Sequence, residues 1–191
     1  MERGEYKNNR DKEKAIESAE EKIINELLSI LFGSINNYSA IEKALKIIGD
    51  NYDIDKICVW EYGYNTSFVD CTHQWCREGI HNDRDICQHT PASVFEELDS
   101  IGTDGMVYSS DTSLIKLNYS SMNPESMGVK RLIQSRITLN GKIIGYISFY
   151  SMNQSGTWSA SVLSTFKLIF KLIAEAICSK QNQRNMAMLR E

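Results

Sequence analysis

The pair Asn140-Gly141 lies between two β-rich segments and constrains the fold more than any other feature of the sequence. Both residues readily adopt positive φ, so Asn-Gly between such segments is the strongest short-range indication of a β-hairpin. A two-residue turn places Leu139 opposite Lys142, and regular alternation then fixes the residues on each face. One face is expected to carry Ile133, Ser135, Ile137, Ile144, Tyr146 and Ser148, and the other Leu132, Gln134, Arg136, Thr138, Ile143, Gly145, Ile147 and Phe149.

The second strand of this hairpin is apolar on both faces, which is typical of a central strand that is covered on each side. We therefore expect residues 128–150 to form the middle of a sheet with other elements packed on both faces. On the first strand, Gln134 and Arg136 then need polar partners or access to solvent.

Periodicity and turn residues predict the remaining elements. The polar residues 1–10 are predicted to be disordered, the polar segment 77–91 to be a long loop, and residues 111–123 have no clear assignment. Ser159 is the expected N-cap of the last helix. Helices are predicted for residues 11–32, 39–48, 92–99 and 159–178, and strands for residues 56–62, 67–76 and 105–109.

Composition excludes several classes of protein. The chain has 191 residues, is 42% hydrophobic and has a net charge of −4, which fits one globular domain without the basic stripe of a nucleic-acid-binding surface. Lys167, Lys171 and Glu175 interrupt the most apolar helix, so no membrane span is expected. The N-terminus lacks a signal sequence and the five cysteines are an odd number, which favours a cytoplasmic protein with free thiols.

Five short motifs occur in a characteristic order along the chain: Trp60-Glu61, HQWCREGI at 73–80, Gly128-Val129 before RLIQSRI, GKIIGYISFY at 141–150, and Trp158. This ordered set resembles the GAF domain, and especially the GAF domains of bacterial signalling proteins that also carry diguanylate cyclase or histidine kinase modules. The resemblance covers residues 36–178 and leaves residues 1–35 as an N-terminal tail and linker helix and 179–191 as the start of a C-terminal signalling helix.

This resemblance implies an α+β fold with a central antiparallel sheet of five to six strands, helices on both faces, and long terminal helices packed together. It also implies a non-catalytic sensor that binds a small ligand on one side of the sheet and relays a signal to an output domain. A homodimer through residues 11–32 and 159–178 is expected. The chain lacks the NKFDE-type motif of cyclic-nucleotide-binding members, the Cys-His pair of bilin-binding members and the cysteine motif of methionine sulfoxide reductases, so neither a cofactor nor an enzyme is predicted.

The candidate ligand-binding residues are mostly aromatic, since small-molecule sites combine aromatic walls with a few polar groups. On the two adjacent strands, Trp60, Trp75 and His73 are expected to face the same pocket, although ordinary core packing explains any single tryptophan as well. By the resemblance, three further aromatic residues surround this cavity: Phe95, Tyr108 and Tyr119.

All three histidines and three of the five cysteines fall in the window 71–89. Cys71 and His73 are expected to share a strand face, and with Cys87 and His89 they are the candidate metal ligands, although the window lacks the Cys-x2-Cys pairing of structural zinc sites. Cys76 and Cys87 are the candidate redox pair. Buried cysteines with no chemistry remain the simplest interpretation. The alternatives to a ligand sensor are therefore a ligand-free dimerisation module and a Cys/His-based redox or metal sensor.

Overall fold

The computed structural model describes residues 2–33, 37–63, 66–118, 123–154 and 156–188, with side chains from residue 18 onward except at 37–38, 184–185 and 187–188. The described residues form four α-helices and six strands, and a short 3-10 turn at Thr112–Leu114. The elements are α1 (Glu2–Gly33), α2 (Asn37–Asn51), β1 (Lys56–Tyr62), β2 (Phe68–Cys76), β3 (Thr90–Pro91), α3 (Ala92–Ser100), β4 (Met106–Ser109), β5 (Arg131–Leu139), β6 (Lys142–Ser151) and α4 (Ala160–Met188).

The strands form one antiparallel sheet in the order β3-β2-β1-β6-β5-β4. The predicted hairpin is confirmed as β5 and β6, because Asn140 has φ 52° and Gly141 has φ 77°, and Leu139 pairs with Lys142. β6 lies between β5 and β1, so the central position predicted for it is also confirmed. The two-residue strand β3 was not predicted.

A β-bulge in the hairpin changes which residues share a face. Thr138 pairs with Ile143, but Ile137 pairs with Gly145, so Ile144 is the extra residue. Beyond this point the predicted faces of β6 are wrong, because one inserted residue reverses every later side chain. Ile133 therefore lies beside Phe149.

A second bulge lies in β2 at Thr72. His73 pairs with Val59, whereas Cys71 pairs with Trp60, which leaves Thr72 unpaired in the ladder. The Thr72 hydroxyl donates a hydrogen bond to Glu61 Oε1 at 2.6 Å. Consequently the alternation of side chains between the two faces of the sheet is interrupted at Thr72 and does not continue along β2.

The sheet separates two cores. On one face, the helix face, α1, α2 and α4 cover a mainly aliphatic core, whose members on the sheet are Ile57, Val59, Ile133, Ile137, Ile147 and Phe149. On the other face, the α3 face, the helix α3 and the segments around Ile115 and Val129 cover a second core. Its members on the sheet are Cys58, Trp60, Val69, Cys71, Val107, Leu132, Tyr146 and Tyr150. Helices on both faces of an antiparallel sheet confirm the predicted α+β class.

The terminal helices are long and contact each other. Glu20 of α1 accepts a hydrogen bond from the Thr165 hydroxyl of α4 at 3.1 Å. α4 is capped as predicted, because the Val162 backbone N–H donates to Ser159 Oγ at 3.2 Å. α1 begins at Glu2, so the prediction of disorder for residues 1–10 is wrong; the Glu, Lys and Arg residues there are good helix formers. None of the described helices is both long and apolar enough to cross a membrane.

Candidate functional site

A row of polar side chains crosses the centre of the α3 face. Gln134 pairs with Ser148, Ser148 with Cys58, and Cys58 with Gln74, so the row runs across β5, β6, β1 and β2. Gln134 is 1% exposed, and both Ser148 and Cys58 are 0% exposed. The Ser148 hydroxyl donates to Gln134 Oε1 at 2.9 Å, and Gln74 Nε2 donates to Cys58 Sγ at 3.3 Å. A core normally excludes such groups unless they are hydrogen-bonded.

Two donors on this face lack that compensation. Gln134 Nε2 and Trp60 Nε1 are buried, and neither has an acceptor among the described residues. A buried donor without a partner costs about 1–3 kcal/mol, so native structures contain few of them. An acceptor from outside the chain, either a ligand or an ordered water, would complete both donors.

Aromatic rings surround Trp60. Its indole lies 4.8 Å from the Phe95 ring of α3, and Phe95 stacks on Tyr146 at 5.2 Å. The Tyr146 hydroxyl is 3.5 Å from that of Tyr62. Burial raises the pKa of Tyr146 and of Tyr150, so both phenols stay protonated at neutral pH. The face thus offers flat apolar surfaces with hydrogen-bonding groups between them, which is the usual composition of a small-molecule site.

The loop 77–91 closes one end of the polar row through Asp83. The Lys56 ammonium, on a residue that is 3% exposed, lies 2.5 Å from Asp83 Oδ1, and Gln74 Nε2 donates to the same oxygen at 2.8 Å. Burial opposes the charged form of Lys56, but Cys58 and Asp83 raise its pKa. Burial likewise disfavours the Asp83 carboxylate, whereas the Lys56 and Gln74 hydrogen bonds lower its pKa. Both groups are therefore charged at neutral pH.

A cleft of about 560 Å³ opens at the end of the face where β1 finishes and β6 begins. Its lining includes Tyr62, Glu96 and Lys142, together with Gln181 of α4. Gln181 Nε2 also donates to Glu61 Oε2 at 3.0 Å. Tyr62 lines this cleft and its ring lies 6.2 Å from that of Tyr146, so the cleft adjoins the aromatic cluster.

The structure brings together only part of the predicted ligand-binding set. Trp60 and Phe95 are in contact on the α3 face. His73 and Trp75 lie on the helix face, because the Thr72 bulge reverses β2 after Cys71 and pairs them with Val59 and Ile57. The expectation that both share a pocket with Trp60 is therefore wrong.

Two of the predicted residues remain. Tyr108 also lies on the helix face: it pairs with Ile133 and accepts a hydrogen bond from the Trp158 backbone N–H at 3.3 Å, so it does not share a face with Trp60 and Phe95 as predicted. Tyr119 lies outside the described residues. Sequence reasoning did not select Gln134, Ser148, Lys56 or Cys58; the signal available for them was polar and thiol residues inside otherwise apolar strands.

The candidate metal ligands are dispersed. Cys71 and His73 lie on opposite faces, contrary to the expectation that they share one. The His89 side chain is exposed, while Cys87 lies next to Cys71, whose backbone N–H donates to the Cys87 carbonyl at 3.1 Å. In the part of the chain that the structure describes, no three His, Cys, Asp or Glu residues converge as metal ligands.

Comparison with solved structures gives consistent results. The chromophore-binding domain of the bacteriophytochrome RpBphP3 from R. palustris superposes with a TM-score of 0.67 at 14% identity; the match covers 85% of this chain and 61% of that one, so this chain spans less than two thirds of its length. A phycocyanobilin-bound GAF domain of a cyanobacterial phytochrome gives 0.66 at 12% identity, covering 86% and 96% of the two chains. The PixJ GAF domain of Thermosynechococcus elongatus gives 0.60 at 14% identity, covering 85% and 96%.

No family model matches the sequence, and no curated protein matches it either. The three structures nevertheless superpose on this chain with TM-scores of 0.60–0.67, and each match covers at least 85% of it. The chain has the fold of a GAF domain.

Proposed function

We propose that the chain is a non-catalytic sensory domain that binds a small molecule on the α3 face and relays its presence to an output domain through the terminal helices. The observation that carries the proposal is the pair of buried donors without acceptors, Gln134 Nε2 and Trp60 Nε1. A ligand with hydrogen-bond acceptors would satisfy both groups and would gain the full benefit of two bonds in a site shielded from water.

The lining further defines the ligand. Phe95, Tyr146 and Trp60 offer ring faces, so a flat, conjugated molecule with carbonyl or ring-nitrogen acceptors fits the chemistry. Phycocyanobilin, which is bound to one of the structural neighbours, has both properties and is a reasonable first probe. The chain lacks the Cys-His pair of bilin-binding members, so we expect a bilin bound here not to be attached covalently through such a pair.

The substitution Gln134→Leu tests the site. Wild-type protein should be stabilised by about 2.7 kcal/mol at a ligand concentration one hundred times Kd, and the variant by only a small fraction of this, because an acceptor of the ligand would lose its partner. The measurement is a thermal-shift titration with phycocyanobilin and with a library of conjugated heterocycles. Without ligand, the variant should lie within about 1 kcal/mol of wild type, since removing a donor that has no acceptor offsets the bond lost by Ser148.

The matched control is Gln154→Leu, which makes the same change at an exposed position and should leave every ligand-induced shift intact. A Gln134→Leu protein that keeps the full ligand-induced shift would place the ligand elsewhere. If native mass spectrometry of freshly purified protein finds no small molecule, and no compound shifts the wild type, the chain would instead be a ligand-free dimerisation module.

The relay requires the terminal helices to engage a partner, and we propose a second copy of this chain. Four large apolar side chains on the described parts of α1 and α4 are exposed: Leu28 at 39%, Phe32 at 50%, Leu168 at 43% and Met186 at 55%. Leu28 and Phe32 are one helical turn apart, so they form a continuous apolar strip on α1. Charged or polar residues are usual at positions exposed to this degree.

The double substitution Leu28→Glu/Phe32→Glu should convert the dimer into a monomer, because it places two charges where two apolar surfaces meet. Sedimentation equilibrium at micromolar concentration checks this result. Ala19→Glu adds one negative charge at an exposed position on the opposite side of the same helix and should leave the dimer intact. A wild-type chain that sediments as a monomer throughout the range would refute the proposed dimer without affecting the proposed ligand site.

A further inference from the structure

The cleft lined by Tyr62 lies where two neighbouring strands part. The β1–β6 ladder ends at the pair formed by Glu61 and Gly145, and the preceding residue of β6, Ile144, is the one that the hairpin bulge leaves without a partner in β5. Bulges are common beside binding sites, because they end strand pairing and redirect side chains. The space that opens here, about 560 Å³, has the size of a small-molecule site.

Two opposite charges line this cleft without pairing with each other. Lys142 is the first residue of β6 and Glu96 lies on α3, and both are exposed. Eight ion pairs join other described residues, but neither Lys142 nor Glu96 takes part in one. The two charges thus lie beyond ion-pair distance of each other on the walls of one cleft. A ligand that carries both an ammonium and a carboxylate would pair with each of them.

The remaining walls complete the chemistry of such a ligand. The Tyr62 hydroxyl donates to Glu96 Oε1 at 3.3 Å, which holds a half-buried aromatic ring beside the carboxylate. Burial raises the pKa of Tyr62, so the phenol keeps the proton that it donates. An ammonium group is attracted both by a carboxylate and by an aromatic ring face. Two half-buried apolar residues of β6, Ile143 and Ile144, also line the cleft.

We propose that this cleft binds a free α-amino acid with an aliphatic side chain. The carboxylate of the amino acid pairs with Lys142, its ammonium group pairs with Glu96 beside the Tyr62 ring, and its side chain packs on the two isoleucines. Either charged group alone would bind weakly, because an exposed ion pair contributes little. The two pairs and the apolar contact act together only on a molecule that carries all three features.

This site is separate from the one in the proposed function. The amino acid contacts neither Gln134 nor Trp60, the buried donors of the α3 face, so each site stands or fails without the other. Gln181 of α4 lines the cleft and donates to Glu61 Oε2 at 3.0 Å. The bound amino acid would therefore lie against the same helix through which we propose the relay.

The test is calorimetric titration of the full chain with leucine and two analogues that each lack one charged group. Isocaproate has the carboxylate and the side chain of leucine without the amino group, and isoamylamine has the amino group without the carboxylate. We expect leucine to bind at least about tenfold more tightly than either analogue, because each lost group removes a hydrogen bond between charged partners. Valine, isoleucine and methionine are titrated in parallel.

Two variants assign the charged groups. Lys142→Met should weaken leucine and isocaproate about tenfold and leave isoamylamine unchanged, whereas Glu96→Gln should weaken leucine and isoamylamine and leave isocaproate unchanged. Both positions are exposed, so both variants should fold. The matched controls are Lys171→Met and Glu78→Gln, which make the same changes at exposed positions outside the cleft and should bind leucine like wild type.

Three results would overturn the proposal. The first is that none of the four amino acids binds wild-type protein at millimolar concentration. The second is that Lys142→Met and Glu96→Gln fail to discriminate between the two analogues. The third is that Gln134→Leu abolishes leucine binding while Lys142→Met retains it, which would place the amino acid on the α3 face. A failure of the first or second kind leaves the thermal shifts expected for the α3-face ligand unaffected.

Discussion

Replacing Asp55 with alanine should lower the free energy of unfolding by about 3–5 kcal/mol, the usual cost of removing one member of a buried charged network. Asp55 is 2% exposed. Its Oδ1 accepts from Arg77 Nε at 3.0 Å, and its Oδ2 accepts from the backbone N–H groups of Met152 at 2.7 Å and Asn153 at 3.0 Å. The substitution would leave a guanidinium and two backbone donors without this carboxylate. Chemical denaturation monitored by tryptophan fluorescence measures the loss.

Asp50→Ala is the matched control, because Asp50 pairs with Lys46 on the exposed surface of α2. Exposed pairs of this kind contribute at most about 1 kcal/mol, so the control should unfold close to wild type. An Asp55→Ala protein that unfolds like the control would show that the network adds little to stability.

The Asp55 carboxylate also makes the free energy of unfolding depend on pH. Burial would raise the pKa of Asp55, but the Met152 and Asn153 backbone hydrogen bonds and the charge of Arg77 lower it below its ordinary value. A folded-state pKa below the unfolded one stabilises the protein above the unfolded value of about 3.9, and this contribution disappears as pH falls through the folded pKa. Unfolding curves between pH 7 and pH 3 should therefore decline more steeply for wild type than for Asp55→Ala.

Gly145→Ala should cost about 3 kcal/mol, at the upper end of what overpacking usually produces. A Cβ at this position would lie 2.0 Å from the Trp60 carbonyl oxygen and 3.2 Å from Glu61 Cα, and both are backbone atoms of the neighbouring strand. Side-chain rotation cannot relieve such contacts, so β1 and β6 would have to separate where the hairpin bulge already distorts the ladder. Thermal unfolding measures the loss directly.

Gly33→Ala makes the same change at the end of α1, where the nearest atom would be Ser29 Oγ at 4.0 Å. This control should remain within about 1 kcal/mol of wild type, because the exchange of glycine for alanine in a helix is mildly favourable. Equal melting temperatures for the two variants would contradict the steric argument. Since Trp60 lies on the α3 face, we also expect Gly145→Ala to weaken any ligand bound there.

The sequence predicts the strands and the hairpin well because their signals are local. The bounds of β1 agree with the prediction, and Asn140-Gly141 forms the expected turn. The face of the sheet on which each side chain lies is harder to predict. One unpaired residue reverses the alternation, and the strand with which it would pair is distant in sequence. Thr72 carries no local mark of a bulge, and for this reason the expected positions of His73 and Trp75 are wrong.

The candidate site depends on similar long-range contacts. Lys56 and Asp83 are 27 residues apart and meet only because the loop 77–91 folds back over β1 and β2. A lysine that precedes the apolar run ICVW does indicate that a counter-charge is needed, but it does not identify the residue that provides it. Gln134 was recognised as a residue that needs a partner, and the structure gives it Ser148 on one side of its amide only.

The bulge at Thr72 has a mechanical consequence. One carboxylate oxygen of Glu61 accepts a hydrogen bond from the Thr72 hydroxyl, and the other accepts one from the Gln181 amide of α4. A single carboxylate therefore connects the bulge in β2 to the last third of the C-terminal helix. The extra residue is therefore linked through Glu61 to α4, and straightening β2 at the bulge would break the Thr72–Glu61 hydrogen bond and with it this connection between the sheet and the helix.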